Sequence, residues 1–569
     1  MDSGRLEELL LTVQKPGRYV GGEWNSVKKE WAGDKIKVLL AFPDVYEVGM
    51  SYLGMKILYG ILNGRDDCLC ERVFSPWTDF EQILRTNRVD LFSLESRKPA
   101  KEFDIIGISV AYELSYSNVL NLLNLGGIPL RSSGRTDEDP LIIAGGPSVY
   151  NPEPIAEFID AFVIGDGEDV INEIVDLYKE LRTEGTLKRP NLLRKLSRIK
   201  GIYVPSLYEI NYKDDATIGN IKPAEENIPP KVSKRTVRDF DKAYYPVDQI
   251  VPNIGIVHDR IAIEIMRGCK HACKFCQATV AYRPARERSA KTVIEIARKA
   301  YAATGYDEIS LLSLSSIDHS ELHKIAEGLN REFLPRAVSI SVPSLRIEDA
   351  LKDLPTLISE VKKSGLTFAP EAGSDPMRKF LGKNVKIERL FEAVSESFRR
   401  GWRRIKLYFM IGLPGETDED IAGIAELIRK ISNLKRDIDG RPAQVTASIN
   451  AFVPKPHTQF QREGMDAIQS LERKRSMLRD MVRSKMIDLD FNPLDRSYLE
   501  AVLARGDRKL GAVIYDAWKS GAKFDSWQEH FKFEIWRSSF ERMKIDASFY
   551  AFRPRQRDEM LPWDIIDMS

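Results

Sequence analysis

Cys269, Cys273 and Cys276 stand in one run, Arg267-Gly-Cys-Lys-His-Ala-Cys-Lys-Phe-Cys276, which packs three of the chain's five cysteines into eight positions. Thiolates at C-x3-C-x2-C spacing can each take one iron of an iron–sulfur cube. A closed cluster or a structural zinc site takes four protein ligands. No local fourth ligand follows in this run, so one iron would stay open to a small molecule. Two plainer readings are a zinc knuckle that borrows His271 and three structural thiols. Zinc sites of reducing compartments usually show two C-x2-C halves, and the second half is missing. The spacing therefore favours the open-cornered cluster.

Phe275, just before the third cysteine, completes a pattern that resembles the cluster loop of the radical S-adenosylmethionine (SAM) enzymes. The resemblance implies a [4Fe–4S] cluster on Cys269, Cys273 and Cys276, with the open iron chelating the amino and carboxylate groups of SAM. One electron from the cluster then cleaves SAM, usually to a 5′-deoxyadenosyl radical. Chemistry in β/α barrels sits at the carboxyl ends of the strands, so the loop must follow a first strand. Strand-like runs do recur, near 261–266, 308–314, 337–343, 365–370, 404–411 and 444–452, with helices between them. One helix reads from Lys291 to Tyr301 by its apolar spacing, with Ser289 as N-cap. Six such units fit the open partial barrel that the resemblance implies.

The family places its SAM contacts at the later strand ends. Ser313, in Ser313-Leu-Ser-Ser316, takes the amino-group position, although the usual glycine-rich acidic motif is absent. Ser344 and Arg346 follow the third strand, where the guanidinium can pair with a carboxylate. Glu371 can accept from a ribose or an ammonium group, with an ordinary salt bridge as the plain alternative. Gly412 and Gly415, in Tyr408-Phe-Met-Ile-Gly-Leu-Pro-Gly-Glu-Thr417, permit close backbone approach on the adenine side, and backbone at Phe452 and Val453 flanks adenine. His457 is an acid/base candidate, with a solvent-facing histidine as the simpler reading. Arg283, Arg286, Arg288 and Lys291 can steer an anionic substrate or a reductase, with a solvated charged face as the default.

Residues 35–185 read as a separate domain, with strands at 36–42, 104–110, 140–144 and 161–164 and helices between them. That alternation predicts a parallel, doubly wound sheet whose ligands bind at the strands' carboxyl ends. The segment resembles the cobalamin (B12)-binding domain ahead of many radical SAM barrels, most closely in Tyr46–Gly54 and Ala144–Glu153. It implies cobalamin contacts at Tyr46, Glu47, Gly49, Met50, Ser109, Gly145, Gly146 and Gly165, although any one glycine is more simply a turn residue. The Asp-x-His-x-x-Gly turn that places a histidine below cobalt is absent, and residues 1–257 contain no histidine. The expectation is a base-off cobalamin with no histidine ligand from this domain. The alternative is a Rossmann-like domain without a cofactor. Cys68 and Cys70, ahead of a probable strand, read as structural or incidental thiols, with a redox-active pair as the other reading. They are too few for the second cluster of methylthiotransferases, which takes three N-terminal cysteines.

Lysine and arginine total 85 and aspartate and glutamate 84, a net charge of +1 that makes no global case for a nucleic-acid or membrane surface. A local basic groove stays open. No apolar run reaches the ~18 residues of a spanning helix, and Met1–Glu8 lacks a signal-peptide core. Few, clustered cysteines fit a reducing cytoplasm. Residues 1–34 form an N-terminal extension, 186–250 a linker with small elements, 251–475 the barrel and 476–569 a mainly helical extension. Trp518, Phe524, Trp527, Phe531, Phe533 and Trp536 in that extension predict a small core; a substrate pocket or a base-stacking surface is the other reading.

From residue 9 onward the chain resembles the B12-binding radical SAM proteins that are often fused to, or encoded beside, a small C-terminal domain. Lys15–Trp24, the cysteine loop, Phe452–Thr458 and Phe524–His530 carry that resemblance. The additional domain is absent after Leu561–Asp567, which leaves open whether a separate subunit supplies it. The resemblance implies methylation of an unactivated carbon. One SAM methylates cob(I)alamin, a second yields the radical that abstracts a substrate hydrogen, and the substrate radical takes the methyl. Radical rearrangement or cyclisation without methyl transfer is a second reading, and a non-catalytic sensor with an RNA-related partner is a third. Flavodoxin or ferredoxin is the expected electron donor.

Overall fold

β1 (Ile36–Phe42) is apolar at every position but Lys37, as a strand buried on both faces must be. β2 (Cys68–Phe74), β3 (Ile105–Ser109), β4 (Leu141–Gly145) and β5 (Ala161–Val163) join it in one parallel sheet, in the order β2-β1-β3-β4-β5. β6 (Ile202–Tyr203) extends the sheet antiparallel to β5. The strand order reverses between β1 and β3, which makes their carboxyl ends the switch point where doubly wound sheets take ligands. Cys68 and Cys70 lie inside β2 rather than ahead of it, and both are buried.

This computed structural model describes residues 3–342, 366–383 and 385–568. The chain divides into two units: Met1–Asp259 with Leu503–Ala547 and Asp558–Ser569, and Arg260–Val502 with Ser548–Arg557. The predicted linker therefore belongs to the first unit, with a helix at Arg189–Leu196, β6, and a hairpin of Tyr208–Tyr212 with Ile218–Pro223. The predicted extension is shared between the units. Its first-unit part is bound deeply: Asn151 Nδ2 donates to Ala504 O (3.0 Å) and Gly506 O (2.8 Å). Arg508 Nε donates to Glu153 Oε2 at 2.8 Å, giving a fully buried carboxylate the counter-charge it requires. Ile566–Asp567 pairs in parallel with Val232–Ser233.

The second unit carries the predicted barrel strands, all in parallel register. Ile261–Glu264, Glu308–Leu312 and Ser339–Ser341 form one sheet. Leu366–Glu371, Arg404–Ile411 and Gln444–Ala451 form another, extended by a strand the sequence reading did not name, Ile487–Phe491. Ile405, Leu407, Phe409 and Ile411 are buried, while Lys406, Tyr408 and Met410 alternate with them on a half-open face. Ser289 caps the helix Ala290–Thr304 by accepting from Thr292 N, as its spacing predicts.

Candidate active site

The cysteine loop leaves the first barrel strand through a closed neck. Met266 and Arg267 pair antiparallel with Glu287 and Arg286, so the chain returns to its starting point across the loop. Gly268 stands in that neck at φ +93, and a Cβ there would lie 2.5 Å from Tyr282 O and 2.9 Å from the Ala285 Cα. Only glycine combines that φ with that approach. Gly268→Val is expected to open the neck and lower iron per protein after reconstitution severalfold, while far-ultraviolet circular dichroism stays that of the parent. Full iron loading in the variant would refute the neck's role.

The middle of the loop is clamped from two sides. Lys274 N donates to Leu381 O at 2.9 Å, and Lys274 O accepts from Phe460 N at 3.3 Å. Gly382 lies flat on the loop, where a Cβ would sit 2.9 Å from Ala272 O. All three cysteines are half-buried. Burial pushes the Cys276 thiol up, and the nearby Cys269 and Glu371 charges push it further. A bound cation reverses that pressure, because coordination deprotonates a thiol. His271 Nε2 lies 2.8 Å from Asp318 Oδ2, and Lys270 Nζ donates to Asp318 O at 2.7 Å. Among the described residues no three His, Cys, Asp or Glu side chains converge on one point to hold a single ion. Three thiolates, each on its own iron, suit an iron–sulfur cube. The donor set fits the cluster.

Phe275 packs against an apolar group of Ala372, Met377, Leu381, Leu413, Phe452 and Phe460, so the structure brings Phe275 and Phe452 together. Val453 beside them is half-exposed. Glu371 ends the fourth strand after a break in register and holds a left-handed backbone, φ +70. Such a conformation costs a non-glycine residue about 1–3 kcal/mol and gathers at functional sites. Lys383, which the sequence reading passed over, donates to Glu371 Oε1 at 3.1 Å with both side chains 13–14% exposed. Ser313 Oγ lies 2.8 Å from Ser316 Oγ. Ser344 and Arg346 lie outside the described residues. Gly412, at φ +81, is buried under Leu471 and Asp466, and its N–H donates to Glu416 Oε2 (2.7 Å), which pairs with Lys474 (2.8 Å). Gly415 is exposed, with φ +74.

Ser310 Oγ, Ser315 Oγ and Asn450 Oδ1 are among the buried polar atoms of this unit that have no hydrogen-bond partner among the described residues. Ser310 lies on the second strand, Ser315 just beyond its carboxyl end, and Asn450 at the end of the sixth. Buried polar atoms are normally satisfied, so these suit a ligand rich in hydroxyl and amino groups, as SAM is. His457 holds φ +62, and its N–H donates to Gln461 Oε1 at 3.0 Å. Arg288 is buried, which separates it from any solvated steering face.

In the first unit, the residues expected near cobalamin are spread along the strand ends and knit into the packing. Tyr46 Oη donates to Glu23 (3.0 Å), Glu47 pairs with Arg18 and Lys15 (both 2.9 Å), and Met50 Sδ lies 3.0 Å from Arg72 Nη1. Gly49 admits the Phe74 ring, and a Cβ there would lie 2.3 Å from it. Gly146 (φ +112) meets Val110 O and Gly165 (φ +104) meets Arg235 O, while Ser109 pairs with Gly145 across β3 and β4. Ser75 Oγ after β2 and Ser148 Oγ after β4 are buried without partners on this same edge. They suit a ligand rich in amides, as a corrinoid is.

Residues 54–205 match the family described as Radical SAM proteins, N-terminal, and residues 263–428 match the Radical SAM superfamily. This chain belongs to the radical SAM superfamily. It is a radical SAM enzyme, and its barrel takes that family's [4Fe–4S] cluster and SAM. An uncharacterised protein of Methanocaldococcus jannaschii is 28% identical over 476 residues, 83% of this chain and 89% of that one. A tRNA-2-methylthio-N(6)-dimethylallyladenosine synthase of Nitratidesulfovibrio vulgaris is 25% identical over 275 residues, 44% of this chain and 58% of its own. Two solved structures share 15% identity at a TM-score of 0.48. They are the radical SAM methyltransferase TsrM from Kitasatospora setae with cobalamin and [4Fe–4S] cluster bound (75% of this chain, 74% of that one) and the cobalamin-dependent SAM radical enzyme OxsB with aqua-cobalamin and SAM bound (91% and 72%). Among the described residues no helix is long and apolar enough to cross a membrane.

Proposed function

We propose that this radical SAM enzyme binds cobalamin in its first unit and methylates an unactivated carbon. The observation that carries the reading is the pinned cysteine loop at a barrel strand end, in a chain whose other unit offers buried, unpartnered hydroxyls at a ligand edge. Cys269, Cys273 and Cys276 hold the cluster. When bound, the cluster supplies the electron that cleaves SAM, and cobalamin carries the methyl group. The chain's own residues fix the geometry. The Gly268 neck and the Lys274 clamp hold the three sulfurs in place before metal arrives. Phe275 and Phe452 keep water from the adenosyl side. Glu371, aimed by Lys383, accepts from a ribose hydroxyl or an ammonium group. Ser313, Ser315 and Asn450 offer further polar partners, and Arg346 and Ser344 complete the set.

Cys68 and Cys70 support this reading over methylthio transfer. Burial pushes the Cys68 thiol up to about 12 and Cys70 well above its ordinary range, which suits structural thiols and opposes metal-binding thiolates. The reductant is a cytoplasmic flavodoxin or ferredoxin. The test is the visible spectrum of oxygen-free, cluster-reconstituted protein, desalted after incubation with hydroxocobalamin. Near one-to-one retention in a base-off form is expected. An intact cluster with no retained cobalamin would sink the methyl-transfer reading.

A further inference from the structure

The first unit contains a histidine that its first 257 residues do not supply. His530 returns with the tail, and its ring stands edge-on to Trp77 with centroids 4.6 Å apart and lies 5.8 Å from Phe524. Trp77 follows β2. Trp527 packs on it at 5.3 Å and donates its indole N–H to Asp44 Oδ1 at 2.9 Å, just past the end of β1. The segment is fastened at both sides. Phe524 N donates to Asn118 Oδ1 (2.8 Å), whose Nδ2 donates to Pro43 O (2.9 Å). Asp525 accepts from Ser117 Oγ (2.6 Å) and Trp536 Nε1 (3.0 Å). Phe524 is fully buried at φ +52, a left-handed conformation kept only where surrounding contacts enforce it. Phe524–His530 therefore lies over the carboxyl ends of β1 and β2, next to the switch point.

Two groups in this corner lack partners. Neither ring nitrogen of His530 has a hydrogen-bond partner among the described residues, and Ser75 Oγ has none either. A neutral imidazole offers one nitrogen lone pair to a ligand. The ring is half-exposed, so that lone pair is open to water or to a metal.

We propose that His530 is an axial ligand to the cobalt of a corrinoid bound at this edge. The imidazole nitrogen would hold cobalt in place of a water molecule, with no electron transferred. The proposal rests on the cobalamin reading above. It is compatible with a detached cofactor base, and the histidine-free stretch 1–257 has no bearing on it because the ligand arrives from the tail.

The test is electron paramagnetic resonance of the cob(II)alamin form, prepared from full-length protein loaded with hydroxocobalamin and grown with ordinary or 15N-labelled histidine. Ligation gives three-line nitrogen splitting in ordinary protein and two-line splitting in labelled protein. His530→Ala and His530→Gln both lose it while cobalamin stays bound. The glutamine variant keeps a polar side chain against Trp77 and so separates ligation from packing. Three-line splitting that survives the label places the cofactor's own base on cobalt and overturns the proposal. So does an absence of splitting, or a two-line splitting that survives either substitution. Those outcomes leave the cobalamin reading standing. Failure of the parent protein to retain cobalamin overturns both.

Discussion

Cys273→Ala is expected to fold as the parent does, to bind little iron after reconstitution, and to cleave SAM only at background. A three-cysteine site has no spare ligand, so losing one leaves two thiolates for a cube that needs three. The side chain is half-exposed, so the cavity it leaves is small and the loop's clamp through Lys274 is untouched. Cys68→Ala is the control. It removes a fully buried thiol from β2, costs stability, and leaves iron content and SAM cleavage at parental levels. Turnover retained by a well-folded Cys273→Ala protein would refute the cluster assignment.

Arg72→Met is expected to destabilise the first unit by about 3–5 kcal/mol near neutral pH, the usual cost of removing one partner from a buried ion pair. Arg72 Nη2 lies 2.9 Å from Glu23 Oε2 and Nε lies 2.6 Å from Glu95 Oε1, with all three side chains 1–2% exposed. Burial pushes Glu95 up even beside this guanidinium. Burial opposes ionisation of Glu23 too, but Arg72 prevails there and holds it below its usual range. Without Arg72 both carboxyls rise. A carboxyl whose folded pKa lies above its unfolded value regains stability as pH falls through the folded value. The variant's deficit should therefore narrow on acidification from pH 7 toward pH 5. Urea unfolding across that range measures it, and a deficit that widens in acid would contradict the argument.

The barrel was legible because its strands are buried on one face and half-open on the other, which writes apolar residues at alternate positions, as in Arg404–Ile411. The seventh strand shows the same period, Ile-Asp-Leu-Asp-Phe, but its half-exposed apolar residues and exposed aspartates blend into a polar stretch. The three cysteines could be read from spacing because one loop supplies them all. Lys383 and Gly382 could not, since their place beside the loop is set by docking across more than a hundred residues. The tail was the largest gap. Of its aromatics, Phe524 and Trp536 are fully buried in a core, while Trp518, Trp527, Phe531 and Phe533 are half-buried. That core lies in the first unit, against Trp77 and Asp44, and no local pattern records a partner so distant in sequence. Ser344 and Arg346 fall outside the described residues, so their expected roles stand on sequence alone.

The return of the tail has a consequence for how the molecule is made. Synthesis runs from the amino end, and domains generally fold as units as they emerge. Here the barrel's main segment, Arg260–Val502, is complete before the earlier-made sheet has received Leu503–Ala547 or the strand Ile566–Asp567. The buried carboxylate of Glu153 must wait for Arg508, and Asp44 for Trp527. The first unit thus finishes after the barrel's main segment, and the strand ends around Asp44 take their final form only once Phe524–His530 has been made.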